Sequence, residues 1–448
     1  MTKQSRGTEQ ANVPPRLQDL SLKFWLLVVL VGVGAGVGAM AMMGILRGVQ
    51  HVAFAYHSGE FTTAVSHHSD ARRVIVLLLG GLITGMGLWR LRRNKEGTGG
   101  EPTEVVWTES GRLSFTRTVI SGGLSEVTVG MGASLGRESA PQRVGAALAD
   151  FVGRHFSLPT HQRSILIACG AGAGLAAIYN VPLAGAVFAA ELYLGTISLP
   201  FVLPALLASG VATAVSWITL RTGPAYDIPR LPHPTVSVLI FALALGPILG
   251  VLSGGYIRVI VWATDHQPKG RWLVMEPIIL FGLLGLLAIQ YPLLLGNGKD
   301  LAQFAYTGSG GILTYVALTI LKPLATTGSL RSGATGGLFT PTLSLGAIAG
   351  ALFGHLWITL WPGAPLATYA VIGSAALLAA AMQAPVTAIL FVLELTQTID
   401  AIMVPLLIAV VGATLTARHL DLRSIYSGRL PAHPDPAVAL KEQASRRI

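Results

Sequence analysis

Gly130-Met-Gly-Ala-Ser-Leu-Gly-Arg-Glu-Ser-Ala-Pro141 sets an ionisable pair, Arg137 and Glu138, inside an otherwise apolar run. Charge at membrane depth is costly unless it faces a cavity or a partner, so the pair marks a functional site. The glycines let backbone approach closely, and Pro141 suits the first turn of a new helix, which sets Glu138 at or just before a helix N-terminus. A carboxylate there takes the position an external anion would want, because unpaired amides and the helix dipole favour negative charge. The stretch reads as an anion path in which Glu138 is both plug and sensor.

The surroundings agree. A chain of 448 residues that is 52% hydrophobic and only 12% charged is too apolar for a soluble globular protein. It reads as an all-α integral membrane protein, and 53 Gly with 25 Pro indicate tightly packed, interrupted helices. The one cysteine, Cys169, excludes an internal disulfide framework and any multi-thiolate metal site.

A net charge of +10 would suggest nucleic acid in a soluble protein, but here the distribution sets topology and no nucleic-acid partner is expected. Lys3, Arg6, Arg16 and Lys23 precede the first apolar span, residues 51–71 carry no Lys or Arg, and Arg90, Arg92, Arg93 and Lys95 follow the second span. Arg418, Arg423, Arg429, Lys441, Arg446 and Arg447 crowd the end. By the positive-inside rule both termini lie on the cytoplasmic side of a plasma membrane. The first span lacks a signal-peptide cleavage site and is expected to be retained.

This divides the chain into an N-terminal cytoplasmic segment over 1–21, a membrane domain over 22–430 and a short cytoplasmic tail over 431–448. Residues 24–52, 74–89, 236–262 and 277–295 are expected to span fully. Between and after them the apolar runs are short and cut by Gly and Pro, as at 119–135, 142–152, 164–178, 182–197 and 203–220. Such pieces point to half-helices whose ends meet near the membrane midplane.

Self-similarity organises these pieces. Ala176-Ala-Ile-Tyr-Asn-Val-Pro-Leu-Ala-Gly-Ala-Val-Phe-Ala-Ala-Glu-Leu192 aligns without gaps on Ala379-Ala-Ala-Met-Gln-Ala-Pro-Val-Thr-Ala-Ile-Leu-Phe-Val-Leu-Glu-Leu395. Gly136-Arg-Glu-Ser-Ala-Pro141 likewise faces Gly336-Gly-Leu-Phe-Thr-Pro341. The membrane domain is therefore two related halves, roughly 72–222 and 233–420, each giving one glycine-to-proline helix start to a shared centre.

The second start has no ionisable side chain, so its contribution would come from the amides of Leu338 and Phe339, donors that stabilise an anion without trapping it. A plain packed helix start is the competing account. Tyr426 follows the last span and would either donate its hydroxyl to an anion or serve as an interfacial aromatic anchor. Glu191 and Glu394 end apolar stretches, as candidates for a proton relay or as carboxylates bonded to backbone amides. Glu126 is intramembrane and equally open. His51, His57, His67 and His68 lack a ligand spacing, so no metal is expected, and no cofactor-binding sequence occurs. The enzyme alternative would use Glu138 as a base beside those histidines; no nucleophile elbow or His-Glu-x-x-His supports it.

These residues resemble the ClC family of chloride channels and chloride/proton antiporters from the first span to Tyr426, most closely its bacterial voltage-gated branch. Gly136-Arg-Glu-Ser-Ala-Pro141 is similar to the family's gate segment, Gly337-Leu-Phe-Thr-Pro341 to its Gly-x-Phe-x-Pro, and Tyr426 to its anion-coordinating tyrosine. The resemblance implies a homodimer in the lipid bilayer with one pore per subunit, built from inverted repeats of tilted and broken helices. It implies chloride as the transported ion, protons as a coupled partner in the antiporters, Glu138 as gate, and an anion site around Arg137, Ser139, Leu338, Phe339 and Tyr426. The family's pore serine has only Gly97-Thr-Gly-Gly-Glu-Pro102 as counterpart, which aligns Thr98 or Gly99 with it. The antiporters' internal proton glutamate falls on Leu192, beside Glu191. An aliphatic side chain holds no proton, so channel-like or weakly coupled transport is expected, with chloride/proton or fluoride/proton antiport as the alternatives.

Overall fold

The computed structural model describes residues 17–93, 100–108, 111–220 and 222–429. The first half holds α1 (Leu22–Phe54), α2 (Phe61–Ser66), α3 (Asp70–Arg92), α4 (Pro102–Thr108), α5 (Phe115–Gly130), α6 (Ser139–His155), α7 (Thr160–Tyr179), α8 (Pro182–Phe188) and α9 (Leu199–Ser216). The second holds α10 (Val236–Asp265), α11 (Trp272–Gln290), α12 (Lys299–Thr307), α13 (Ile312–Arg331), α14 (Phe339–Leu360), α15 (Leu366–Met382), α16 (Pro385–Thr396) and α17 (Ile399–His419).

Among the described residues seven helices, α1, α3, α9, α10, α11, α14 and α17, are long and apolar enough to cross a membrane. The first two expected spans fall within α1 and α3, and the third within α10. The fourth stops at Gln290 because Pro292 opens a separate short turn over Pro292–Leu294. Several interrupted helices extend beyond their apolar runs because polar residues start them: α6 opens on Ser139 and α7 on Thr160.

The repeat is visible in backbone geometry. Asn180 and Gln383, matched by the sequence alignment, both take left-handed φ of 58° and 57°, ending α7 and α15 one residue after their last helical turn. Each is followed by a residue and a proline that opens α8 or α16. A π-helical turn over Ala189–Tyr193 extends α8. α8 and α16 then cap each other. Glu191, in that turn, accepts hydrogen bonds from the Val386 and Thr387 amides at 3.1 and 2.7 Å, and from the Thr387 hydroxyl at 2.7 Å. Glu394, at the end of α16, accepts from the Leu183 and Ala184 amides at 3.1 and 2.7 Å. A carboxylate near the C-terminal end of each helix thus satisfies the orphan donors that start the other, which requires the two to run antiparallel.

Small residues set the helix spacing. A Cβ at Gly145 on α6 would run into the Gly170 carbonyl on α7, and one at Gly346 on α14 into the Gly373 carbonyl on α15. Close backbone approach of this kind is how helices associate where lipid removes the hydrophobic drive.

Candidate functional site

The two glycine-rich loops meet at the centre. Gly136 and Gly337 exchange backbone hydrogen bonds of 2.7 Å in each direction, an isolated antiparallel bridge that joins the halves. Glu138 is the residue before α6, and Leu338 the residue before α14. The bridge points Glu138 across the junction, where it is fully buried. Its Oε1 accepts from the Phe339 amide at 2.8 Å, while Oε2 accepts from the Tyr179 hydroxyl at 3.0 Å and the Thr340 hydroxyl at 3.1 Å. A Cβ at either Gly136 or Gly337 would collide with this carboxylate, so a side chain at either position would displace it.

The carboxylate occupies a helix N-terminus, where amides and dipole favour an anion. Its neighbours in sequence face opposite ways. Arg137 lines a cavity of about 320 Å³ with Arg47, His57, Tyr179 and Lys299, whereas Ser139 and Leu338 line another of about 210 Å³ with Arg143, Tyr193 and Tyr426. Glu138 therefore lies between the two cavities. The first cavity has no carboxylate among its lining residues, and the second sets Arg92, Arg143 and Arg429 against Glu101. Clefts lined mainly by one sign of charge concentrate the opposite ion.

Aromatic side chains wall the junction. Phe188 and Phe391, equivalent in the repeat, both pack edge-on against Phe339, at 5.8 and 4.3 Å between ring centres. Tyr179 packs on Phe391 at 5.4 Å, with the Arg137 guanidinium 5.3 Å over its ring. Tyr426 lies 6.4 Å from Phe188, held in place by the Ile425 amide, which donates to the Ala381 carbonyl at 2.8 Å.

Of the residues singled out from sequence, Arg137, Glu138, Ser139, Leu338, Phe339 and Tyr426 come together here. Thr98 and Gly99 lie outside the described residues. Glu191 is engaged with the start of α16, and Leu192 is buried beside it. Tyr179 and Thr340 escaped sequence analysis, although Tyr179 replaces the repeat-equivalent Met382 and that asymmetry was a signal. Lys322 on α13 also escaped it. This fully buried ammonium donates to Ser134 Oγ at 2.8 Å and to the Leu294 and Gly296 carbonyls at 3.3 and 3.4 Å, pinning the loop before Glu138 to the start of the segment before α12.

A family model described as voltage gated chloride channel matches residues 80–418. A ClcB-like chloride channel protein of Ralstonia nicotianae is 31% identical over 93% of this chain and 98% of its own length. An H(+)/Cl(-) exchange transporter, ClcA, of Cronobacter sakazakii is 30% identical over 95% and 94%. Among solved structures, a slow cyanobacterial Cl-/H+ antiporter superposes with a TM-score of 0.79 at 22% identity, covering 96% of this chain and 99% of that one.

Proposed function

The chain belongs to the voltage-gated chloride channel family, and from that premise we propose that chloride passes between the two cavities when Glu138 leaves the start of α14. The observation that carries this is the hydrogen bond from the Phe339 amide to Glu138 Oε1: the carboxylate holds the donor an entering chloride would use. An ionised Glu138 competes with chloride for that amide, and a protonated one competes poorly and swings away. Tyr426, Ser139 and the backbone around Leu338 complete the path on the second-cavity side. The face that carries Lys23, Arg90, Arg92 and Arg93 is cytoplasmic by the positive-inside rule, which makes the Tyr426 cavity inner and the His57 cavity outer. Two copies form the working assembly, one path in each.

Proton coupling is weak in this proposal, because Leu192 holds no proton and Glu191 is committed to capping α16. Similarity to the exchange transporter supports a second reading, chloride/proton antiport. Purified protein in liposomes, followed with chloride and proton electrodes, tests both. Wild type is expected to release chloride down its gradient with little uphill proton movement, and Glu138→Gln to keep the flux while losing most of its pH dependence. A well-folded but inactive Glu138→Gln protein would remove the gate assignment. Stoichiometric chloride-driven proton uptake by wild type would establish the antiporter instead.

A further inference from the structure

A second carboxylate, Glu126, lies buried twelve residues before Glu138. Glu126 on α5 is fully buried, and among the described residues neither of its oxygens has a hydrogen-bond partner. It shares a helix face with Gly122 and Gly130, four residues to either side. That face packs on α1 and the start of α6: a Cβ at Gly122 would meet Met42 and Ala140, and one at Gly130 would meet Val49 and Leu46. From α3 the polar neighbour of this helix is Thr84, already bonded to Thr128. Among the described residues, the charged groups that act on Glu126 are Arg137 and Glu138.

Two buried carboxylates and one guanidinium hold their most favourable charge with a single proton shared between the acids. The hydrogen bonds decide where it rests. Glu138 has three donors and suits the charged, acceptor-only form. Glu126 has none, and an ionised carboxylate without partners in an apolar setting is the costliest state available to it. Resting on the gate reading of Glu138, we propose that Glu126 is the proton store of the gate. When an anion takes the Phe339 amide, the proton leaves the Glu126 carboxyl and joins the Glu138 carboxylate. The O–H electron pair stays on Glu126, whose new charge is met by Arg137. Arg137 lines the outer cavity, so the store refills from that side. Opening then responds to external pH without a proton crossing the membrane, which fits a chain with a leucine at position 192.

The test measures chloride flux from liposomes while only the external pH is varied, for wild type, Glu126→Gln and Glu138→Gln. Glu126→Gln is expected to cut the rise in flux on external acidification by about tenfold. An unaltered pH response in Glu126→Gln overturns the proton store and leaves the gate intact. An unaltered response in Glu138→Gln instead brings down the gate reading beneath it. If Glu126→Gln does not assemble, Glu126→Met gives the same reading, since an apolar side chain suits a site that offers no hydrogen bond. Infrared difference spectra need no variant at Glu126. Chloride added to wild type is expected to shift a carboxylic-acid carbonyl band, and the shift should vanish in Glu138→Gln. A spectrum without any such shift overturns the proposal.

Discussion

Tyr179→Phe isolates one hydroxyl bonded to Glu138, the proposed gate. The substitution keeps the ring against Phe391 and under Arg137, so the loss is confined to the donor at 3.0 Å from Glu138 Oε2. Tyr179 and Thr340 also lie within hydrogen-bond distance of each other. The three oxygens share two hydrogens when Glu138 is ionised, and both are drawn to the carboxylate. A hydrogen bond to a charged group contributes about 1.5–3 kcal/mol. The lower end applies, because Thr340 still donates to the same oxygen at 3.1 Å and Tyr179 borders a cavity from which water can substitute. A loss of about 1.5 kcal/mol from the closed state multiplies the open fraction roughly tenfold while the gate is mostly closed. Chloride efflux from liposomes at neutral pH is the assay, with Glu138→Gln marking the ceiling. Thr340→Val should act in the same direction, and the double variant, which strips Oε2 of both donors, should exceed either. Flux at or below the wild-type rate in a well-folded Tyr179→Phe protein, while Glu138→Gln is raised, would refute the claim that this hydroxyl stabilises the closed gate.

Tyr426→Phe should weaken chloride binding by about 1.5 kcal/mol, one lost hydrogen bond to an anion, as read by calorimetric titration; unchanged affinity would take Tyr426 out of the path. Lys322→Met should lower thermal stability by about 1–3 kcal/mol, because Ser134 and two carbonyls lose a donor in a buried site. A melting temperature equal to wild type in a detergent scan would show that the ammonium is dispensable.

The sequence exposed the parts of the site that depend on local chemistry. Glycines followed by a proline set Glu138 and Leu338 immediately before helices, and the Ala176–Leu192 match paired the two segments that the structure turns alike at Asn180 and Gln383. Partners distant in sequence stayed hidden. Tyr179 and Thr340 reach Glu138 from 41 and 202 residues away, and neither sits at a motif position that demands its hydroxyl. Lys322 stands in an apolar run as one cation among many, and its acceptors come from two other segments. The bridge between Gly136 and Gly337 follows from two loops of similar shape, but which strand edges meet is a property of the assembled halves. The account of Glu191 and Glu394 as carboxylates bound to backbone amides was available from sequence. That each would serve the opposite helix was not.

The reciprocal caps also constrain how the chain is made. The amides of Leu183 and Ala184 enter the bilayer while the ribosome has still to synthesise Glu394, 210 residues downstream of Ala184. Acyl chains accept no hydrogen bonds, so those donors must wait in the translocon or at an aqueous boundary. Glu191 waits in the same way for the start of α16. A chain that stops inside the second half leaves bare amides and an unmatched carboxylate within the membrane, each group unsatisfied at a cost of several kcal/mol.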